Sequence, residues 1–582
     1  MTDAPSSLHD SHLFADIAAF AALRLRFSDP GLSEWHQRSI VIRPYCARSE
    51  FAPLLLFLAS ARVYAQSSTQ DELEQLRKQV AAQQTQMAAQ QNQIDELRRM
   101  LLQQSKLLAS LSPSANPPDS VASIGTPVVP AAVPVPEQPK AASQPVESDR
   151  SPLAIGIGPI ELTPTGFIEY SQVWRSKTVT SGLPTNFAGI PFDNTVEGHR
   201  RETLSTAANS RLGLQLNAAF SKVRLLGVIE TDFLGFQPGN ISTTTNSYGL
   251  RLRLAFADLE AGKWEFLGGQ DWSLLTPARK GIPALTSGLM LTQDLDPNIQ
   301  SGLVWGRVPQ FRAVYRPNRG IAVGASVESG ETYAGGSSGA GTITLPSALA
   351  PNYFNQVDLG TSGLAVPNPH LDFIGKVAFD WTGRGRPMHL EVAGMMNQFA
   401  LYNPLSNQHF STLGGAGSLN AGFEIGKGLS LMTANFYSEG GGRFIYGEAP
   451  ALIIEGSGAP SLVHSMSTLQ GLEYQATPKL KLWTYYGGTY INKNIAIDPS
   501  NGGLVGYGYS GSPNNQNRSI QEVTAGLTRV FHREPVGTFQ ASAQYSFVIR
   551  HPWYVAPSQP GNANLNMLYI SLRYLLPAPS AR

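Results

Sequence analysis

From about residue 160 onwards, the chain is a series of short segments in which apolar and polar residues alternate. The alternation is clean over 211–216, 222–233 and 250–256, and it returns over 371–381 and 538–550. Successive side chains of a β-strand point to opposite faces, so a period of two predicts strands with one apolar and one polar face.

The connections between these segments alternate between tight turns and long polar stretches. Turns follow Ala219, Leu259, Arg316, Trp381, Gly426, Thr477 and His532. Long connections cover roughly 176–203, 235–247, 273–308, 331–369, 402–412, 440–466, 493–518 and 552–563. This order predicts 16 antiparallel strands, an even number that returns both ends of the sheet to one side. Short turns on one side and long loops on the other are typical of an outer-membrane β-barrel.

The alternative is a soluble β-sandwich or propeller. A sandwich would hide its apolar faces between two sheets, and its long loops would not be confined to every second connection. A propeller would show a repeat of blade length, and the sequence shows none. The mean hydropathy of −0.12 is compatible with a membrane barrel, because its strands average apolar with polar residues. The sequence therefore favours an all-β transmembrane barrel over 159–577.

Residues 66–110 have a different pattern, with a seam of positions spaced alternately three and four residues apart, all apolar except three glutamines. The positions are Leu73, Leu76, Val80, Gln83, Met87, Gln90, Ile94, Leu97, Leu101, Gln104 and Leu108. A seven-residue repeat of this kind predicts an α-helical coiled coil, which we place in the periplasm. Glutamines in the seam can fix register and strand number, but the pattern alone leaves dimer and trimer open.

The regions on either side of the coiled coil are not globular in composition. Residues 111–150 contain nine prolines, so we interpret 111–158 as an extended linker. Within 1–65, Arg43 and Arg48 precede an apolar run at 51–59 and the small-residue site Val63-Tyr64-Ala65. This order predicts a secretory signal cleaved after Ala65, preceded by an over-long N-terminal extension. A short buried helix is the alternative.

Composition and motifs give no basis for enzymatic chemistry. The only cysteine, Cys46, lies before the predicted cleavage site, so the mature chain has no thiol for catalysis, metal binding or disulfides. The ten histidines lack metal-ligand spacing, and no nucleophile elbow occurs. The net charge of +1 gives no case for nucleic acid. We therefore expect no catalytic residue, no metal and no cofactor.

The candidate chemistry lies on the polar face of three consecutive strands. If Leu212, Leu214 and Leu216 face lipid, Arg211 faces the pore. If Val223, Leu225, Ile229 and Phe233 face lipid, the inward residues are Lys222, Arg224, Glu230 and Asp232. If Leu250, Leu252, Leu254 and Phe256 face lipid, Arg251 and Arg253 point inward. Inward charges can set the selectivity of a pore, or they can pair with one another as scaffolding of the wall.

The long connection at 273–308 is too apolar for a loop in water. Leucine, isoleucine, methionine and proline occupy nine positions from Leu274 to Leu291, and Asp294 and Asp296 follow. We predict that it folds back into the barrel, narrows the pore and sets these two acidic residues against the basic wall.

Four segments carry a resemblance to a known family. They are 210–214, 228–233, 250–256 and Gly269-Gln-Asp-Trp-Ser273, and the chain that contains them resembles the DcaP-like outer-membrane porins. The resemblance implies a trimeric 16-stranded barrel with a periplasmic coiled coil and an arginine-lined constriction that accepts small anions such as dicarboxylates. It implies pore roles for Arg211, Arg251 and Arg253. The chain departs from the family at its C-terminal Pro-Ala-Pro-Ser-Ala-Arg and at Asp271, where the family residue is often uncharged.

The predicted function is passive diffusion of small, anionic solutes through a homotrimer in the bacterial outer membrane. Its other expected partners are membrane lipid and lipopolysaccharide, and the cell wall is a further candidate partner, reached through the coiled coil. Two alternatives remain: an outer-membrane lipid hydrolase, which would need a Ser/His pair near the external lipid face, and an envelope tether or adhesin.

Overall fold

The computed structural model describes residues 151–179, 181–235, 249–292, 300–336, 340–360, 366–445, 447–577 and 579. The predicted signal, coiled coil and almost all of the linker lie outside these residues. The two domain boundaries at 65 and 110 therefore stay predictions.

Sixteen long strands form one antiparallel sheet. They are β2 (Ile160–Arg175), β4 (Arg211–Phe220), β5 (Val223–Asp232), β6 (Arg251–Ala261), β7 (Trp264–Trp272), β8 (Arg307–Asn318), β9 (Ile321–Glu328), β10 (Asp372–Gly383), β11 (Arg386–Asn403), β12 (Gln408–Gly426), β13 (Leu429–Glu439), β16 (His464–Thr477), β17 (Leu480–Ile491), β20 (Asn517–Glu534), β21 (Gly537–Pro552) and β22 (Ala563–Leu575).

Short elements accompany these strands. β1 (Ile155–Ile157) and β3 (Glu202–Thr206) pair with β2, whereas β14 (Leu452–Ile454) with β15 (Pro460–Leu462) and β18 (Asn494–Ile497) with β19 (Leu504–Tyr507) form separate hairpins. One α-helix, α1 (Ala350–Tyr353), and 3₁₀ turns at Phe187–Gly189, Glu197–His199, Thr286–Gly288 and Gly442–Phe444 occur in the long connections.

The sheet closes on itself at β2. Phe167 of β2 lies opposite Leu575 of β22 on one side and opposite Arg211 of β4 on the other. Closure removes free sheet edges, which lipid does not tolerate. The predicted 16-stranded barrel is thus confirmed.

The connections follow the predicted order with one exception. Two-residue turns join β4 to β5, β6 to β7, β8 to β9, β10 to β11, β12 to β13, β16 to β17 and β20 to β21. The predicted long loop at 402–412 is wrong, because only residues 404–407 separate β11 from β12. These two strands run on for 18 and 19 residues, and Tyr402 pairs opposite His409 within the segment expected to be loop.

The two faces of the barrel differ in polarity. Ile168, Leu212, Ile229 and many other large apolar side chains are exposed on the outward face, which is the face that lipid covers in a membrane barrel. No helix among the described residues is long and apolar enough to cross a membrane.

The long connections pack together at the end of the barrel opposite the short turns. Tyr353, Leu452, Ile454, Val463 and Tyr507 come from three different connections and are buried in one apolar cluster. The cluster also includes Phe399 and Leu401 of β11, so these connections are anchored on the strand ends.

Candidate functional site

The charged residues predicted on β4, β5 and β6 meet because the three strands are antiparallel neighbours. β5 ends with Glu230 and Asp232, and this end lies beside the beginnings of β4 and β6. In the register, Arg211 of β4 lies opposite Asp232, and Asp232 lies opposite Arg251 of β6. One short level of the wall thus carries five charges contributed by three strands.

A β-bulge at Arg253 determines which side chains of β6 face inward. Pairing changes from Thr231 opposite Leu252 to Glu230 opposite Leu254, so Arg253 is the extra residue. A bulge inverts the facing of the residues that follow it. The prediction that Leu254 and Phe256 face lipid is therefore wrong. Both side chains are buried inside the barrel, where they pack with Trp272 of β7 and with Leu289 of the 273–306 connection. Leu250 and Leu252 remain exposed.

The two carboxylates hold the arginines in defined positions. Arg251 donates from Nε and Nη2 to the two oxygens of Asp232 at 3.0 and 2.6 Å, a bidentate arrangement. Arg253 bridges both carboxylates, at 2.6 Å from Glu230 and 2.9 Å from Asp232. Arg211 lies 4.0 Å from Glu230. Asp232 and Arg253 are almost fully buried, but the Arg251 side chain is 35% exposed.

Two further arginines, which the sequence analysis missed, complete this group. Arg573 of β22 and Arg211 contact the ring of Phe167, with guanidinium-to-centroid distances of 3.9 and 5.1 Å. Arg307, the first residue of β8, lies 5.4 Å from the Trp272 ring and 5.3 Å from the Trp305 ring, close enough to Arg251 and Arg253 to interact electrostatically. We call Arg211, Arg251, Arg253, Arg307 and Arg573 the arginine cluster.

Among the described residues, the cluster carries more positive than negative charge. Its five guanidinium groups face three paired carboxylates, those of Glu230, Asp232 and Glu169, the last of which pairs with Arg573. The interpretation of the wall as scaffolding and its interpretation as a charged lining are therefore compatible. The pairs fix the geometry, and among the described residues the guanidinium groups outnumber these paired carboxylates by two.

Lys222 and Arg224 lie apart from this cluster. Lys222 is in the turn between β4 and β5, and the exposed Arg224 forms a 2.6 Å ion pair with Glu260. Glu230 follows Arg224 by six positions in β5, a distance of about 20 Å along an extended strand. The structure does not bring these two basic residues to the site.

The connection between β7 and β8 lies against the inward face of the barrel. Leu274, Leu275 and Ile282 pack on inward residues of β8 to β11, and Met290 and Leu303 pack on β13, β16 and β17. Asp294 and Asp296 lie outside the described residues, so their position beside the basic wall stays a prediction.

Polar contacts attach this connection to strands on several sides. Arg279 forms a 2.7 Å ion pair with Glu473 of β16, and the Leu274 backbone N–H donates to Glu328 of β9 at 2.8 Å. The Ser301 backbone N–H donates to Glu522 of β20, also at 2.8 Å. These contacts fix the connection across the interior.

No protein-family model matches the sequence, and no curated protein matches it. Solved structures do match. The outer membrane channel DcaP of Acinetobacter baumannii superposes with a TM-score of 0.52 and 16% identity, over 72% of this chain and 97% of that one. The chain has the fold of an outer-membrane porin. An anion-selective porin from Comamonas acidovorans (TM-score 0.41, 11% identity, 72% and 100% covered) and Salmonella typhi OmpF (0.40, 10%, 73% and 100%) are also similar.

In this porin fold, the chemistry that the arginine cluster offers is recognition of carboxylate or phosphate. Guanidinium groups bind such anions through paired N–H donors, and they stay charged at any physiological pH. The Arg251 side chain is partly open, whereas Arg253 is closed in by its two carboxylates. Arg251 is therefore the member of the β6 pair best placed to contact a passing solute.

Among the described residues, one serine and one histidine form a pair of the kind that the hydrolase alternative requires. Ser519 Oγ of β20 lies 3.5 Å from His551 Nδ1 of β21, on the same face as the exposed Val523. Catalytic serine–histidine pairs have a third group that orients the histidine. Among the described residues, no carboxylate forms an ion pair with His551, and the neighbouring charge is that of Arg518. Within the part of the chain that the structure describes, the pair therefore has no orienting acid.

Proposed function

We propose that this porin allows passive diffusion of small anionic solutes, dicarboxylates among them, past the arginine cluster. The observation that carries the proposal is that, among the described residues, five guanidinium groups and three paired carboxylates lie at one level of the wall. Fixed charges at a narrow level of a pore select ions electrostatically, because the opposite sign accumulates there.

The 273–306 connection supplies the narrowing in this proposal. Its described residues lie inside the barrel, and Trp305 of the connection and Trp272 of β7 lie beside Arg307, so the cluster has aromatic walls on one side. Apolar surface next to the guanidinium groups lowers the local dielectric constant and strengthens their attraction for anions.

We further propose that three copies assemble, with the coiled coil at 66–110 holding them from the periplasmic side. The seven-residue seam and the porin fold support this assembly. The outer membrane, with its lipid and lipopolysaccharide, is the environment that fits the apolar outward face.

A swelling assay with reconstituted vesicles tests the proposed function. Vesicles containing the porin should swell faster in succinate than in a neutral sugar of similar size. Arg251→Gln should reduce the succinate rate and leave the sugar rate unchanged. Equal rates for both solutes in the unaltered protein would contradict the proposal, and cross-linking in the same vesicles should give a trimer.

A further inference from the structure

A cavity of about 510 Å³ opens at the end of the barrel that carries the short turns. It lies among the last strands of the sheet, from β16 to β22. Four basic residues line it, namely Lys479, Lys481, Arg533 and Arg573, together with neutral side chains that include Gln540 and Ser542. Of the residues that the structure places around this cavity, none is acidic.

The charge of this basic cavity is only partly balanced. Lys481 forms a 2.7 Å ion pair with Glu473, and Arg573 pairs with Glu169. Within the described part of the chain, neither Lys479 nor Arg533 has an ion pair with a carboxylate. Two cationic groups at the open end of the cavity are therefore available to a ligand.

Arg573 belongs both to the cavity and to the arginine cluster. Its guanidinium group packs on the Phe167 ring, and Arg211 packs on the same ring. The basic surface therefore continues from the cluster, through Arg573, to the turns between β16 and β17 and between β20 and β21.

We propose that this basic cavity is a second binding station for small anions, between the arginine cluster and the turn side of the barrel. Its ligands are carboxylates or inorganic phosphate, held by Lys479 and Arg533 with neutral donors such as Ser542 and Gln540 nearby. The inference rests on the proposed diffusion of anions. It adds a site at which an anion arriving from the cluster pauses before it leaves the barrel.

Single-channel current block, with succinate added to one side of a planar bilayer at a time, tests this proposal. The double variant Lys479→Gln, Arg533→Gln removes the two unbalanced charges and keeps hydrogen-bonding side chains. From the turn side, the half-blocking concentration of succinate should rise by about threefold for each charge removed, the size expected of a screened contact between unit charges. From the loop side it should change much less, because Arg251 and its neighbours are intact.

Lys427→Gln is the matched control, since Lys427 is an exposed lysine in the turn between β12 and β13 and does not line the cavity. It should leave block from both sides unchanged. The proposal is overturned if the double variant blocks like the unaltered porin, or if the control shifts block equally. A cation-preferring or non-conducting unaltered protein would instead contradict the proposed function itself. Inorganic phosphate in place of succinate should give the same asymmetry.

Discussion

Arg253 Nη1 lies 2.9 Å from Asp232 Oδ2, and the two side chains are 3% and 0% exposed. This contact joins the bulge of β6 to the end of β5. Since Asp232 is also the bidentate partner of Arg251, the position of the more exposed arginine depends on the buried pair.

Replacing Arg253 by alanine should destabilise the barrel. The change leaves the buried carboxylate of Asp232 with only Arg251, and breaking a buried pair typically costs about 3–5 kcal/mol. Urea unfolding of the porin in lipid vesicles measures this loss. Arg224→Ala is the control: its ion pair with Glu260 is largely exposed, so its loss should cost less than about 1 kcal/mol. Equal destabilisation by both variants would contradict the structural role of Arg253.

The bulge makes a separate prediction about facing. A nitroxide spin label at Leu252→Cys should collide mainly with oxygen dissolved in lipid, because residue 252 faces outward. A label at Leu254→Cys should be shielded from lipid, since residue 254 faces inward. If the two labels have the same accessibility to lipid-soluble oxygen, β6 has no bulge at Arg253.

This bulge also explains why the sequence correctly predicts the facing of only part of β6. Alternation identifies the strands, and the prediction that Leu250 and Leu252 face lipid agrees with their exposure. After Arg253 the same alternation predicts the wrong face, because one extra residue reverses the facing of every residue that follows it. Nothing in the letters of 250–256 marks that residue, since the bulge is defined by pairing with β5.

Glu448 should make the interior connections sensitive to pH. It lies in the connection between β13 and β16 and accepts hydrogen bonds from the hydroxyls of Thr489 and Ser301, the latter at 3.1 Å. Burial away from water raises the pKa of Glu448 to about 8, and the nearby Glu522 carboxylate adds to this rise. Between about pH 4.5 and about pH 8, Glu448 is therefore protonated in the folded protein and ionised in the unfolded chain. The contribution of Glu448 to the free energy of unfolding therefore falls as pH rises from about 4.5 to about 8 and then levels off.

Open-channel current noise measures this effect. The noise should be greater at pH 9 than at pH 6, because ionised Glu448 then faces the carboxylate of Glu522 near the 300–306 segment. Glu448→Gln should remove the dependence on pH, and Glu455→Gln, which alters an exposed residue of the same connection, should retain it. Noise that depends on pH equally in all three proteins would assign the effect to other groups.

If the predicted coiled coil at 66–110 holds three copies together, trimer assembly should depend on this segment. A chain without 66–110 should form the same barrel but assemble into trimers more weakly, because an associated coil would hold the barrels at an effective concentration in the millimolar range. Sedimentation in detergent at decreasing protein concentration measures the trimer fraction. An unchanged fraction after the deletion would show that the barrels alone determine assembly.

The sequence predicts only part of the site, because the positions of the two unpredicted arginines depend on how distant segments of the chain come together. Arg573 lies within the alternating strand β22 and shares its face with Tyr569 and Ser571, so the sequence alone predicts its inward orientation. The sequence does not predict that Arg573 lies beside Arg211, because this proximity depends on barrel closure between β22 and β2. Arg307 directly follows a long connection, and its position over Trp272 and Trp305 results from how that connection folds inside the barrel.

The central claim, that the wall selects anions, is tested most directly by the reversal potential across a potassium chloride gradient in a planar bilayer. The reversal potential should have the sign of the chloride equilibrium potential. It should shift towards zero in Arg251→Gln and shift less in Lys222→Gln, since Lys222 lies in a turn far from the cluster. A reversal potential with the sign of the potassium equilibrium potential, unchanged by Arg251→Gln, would contradict it.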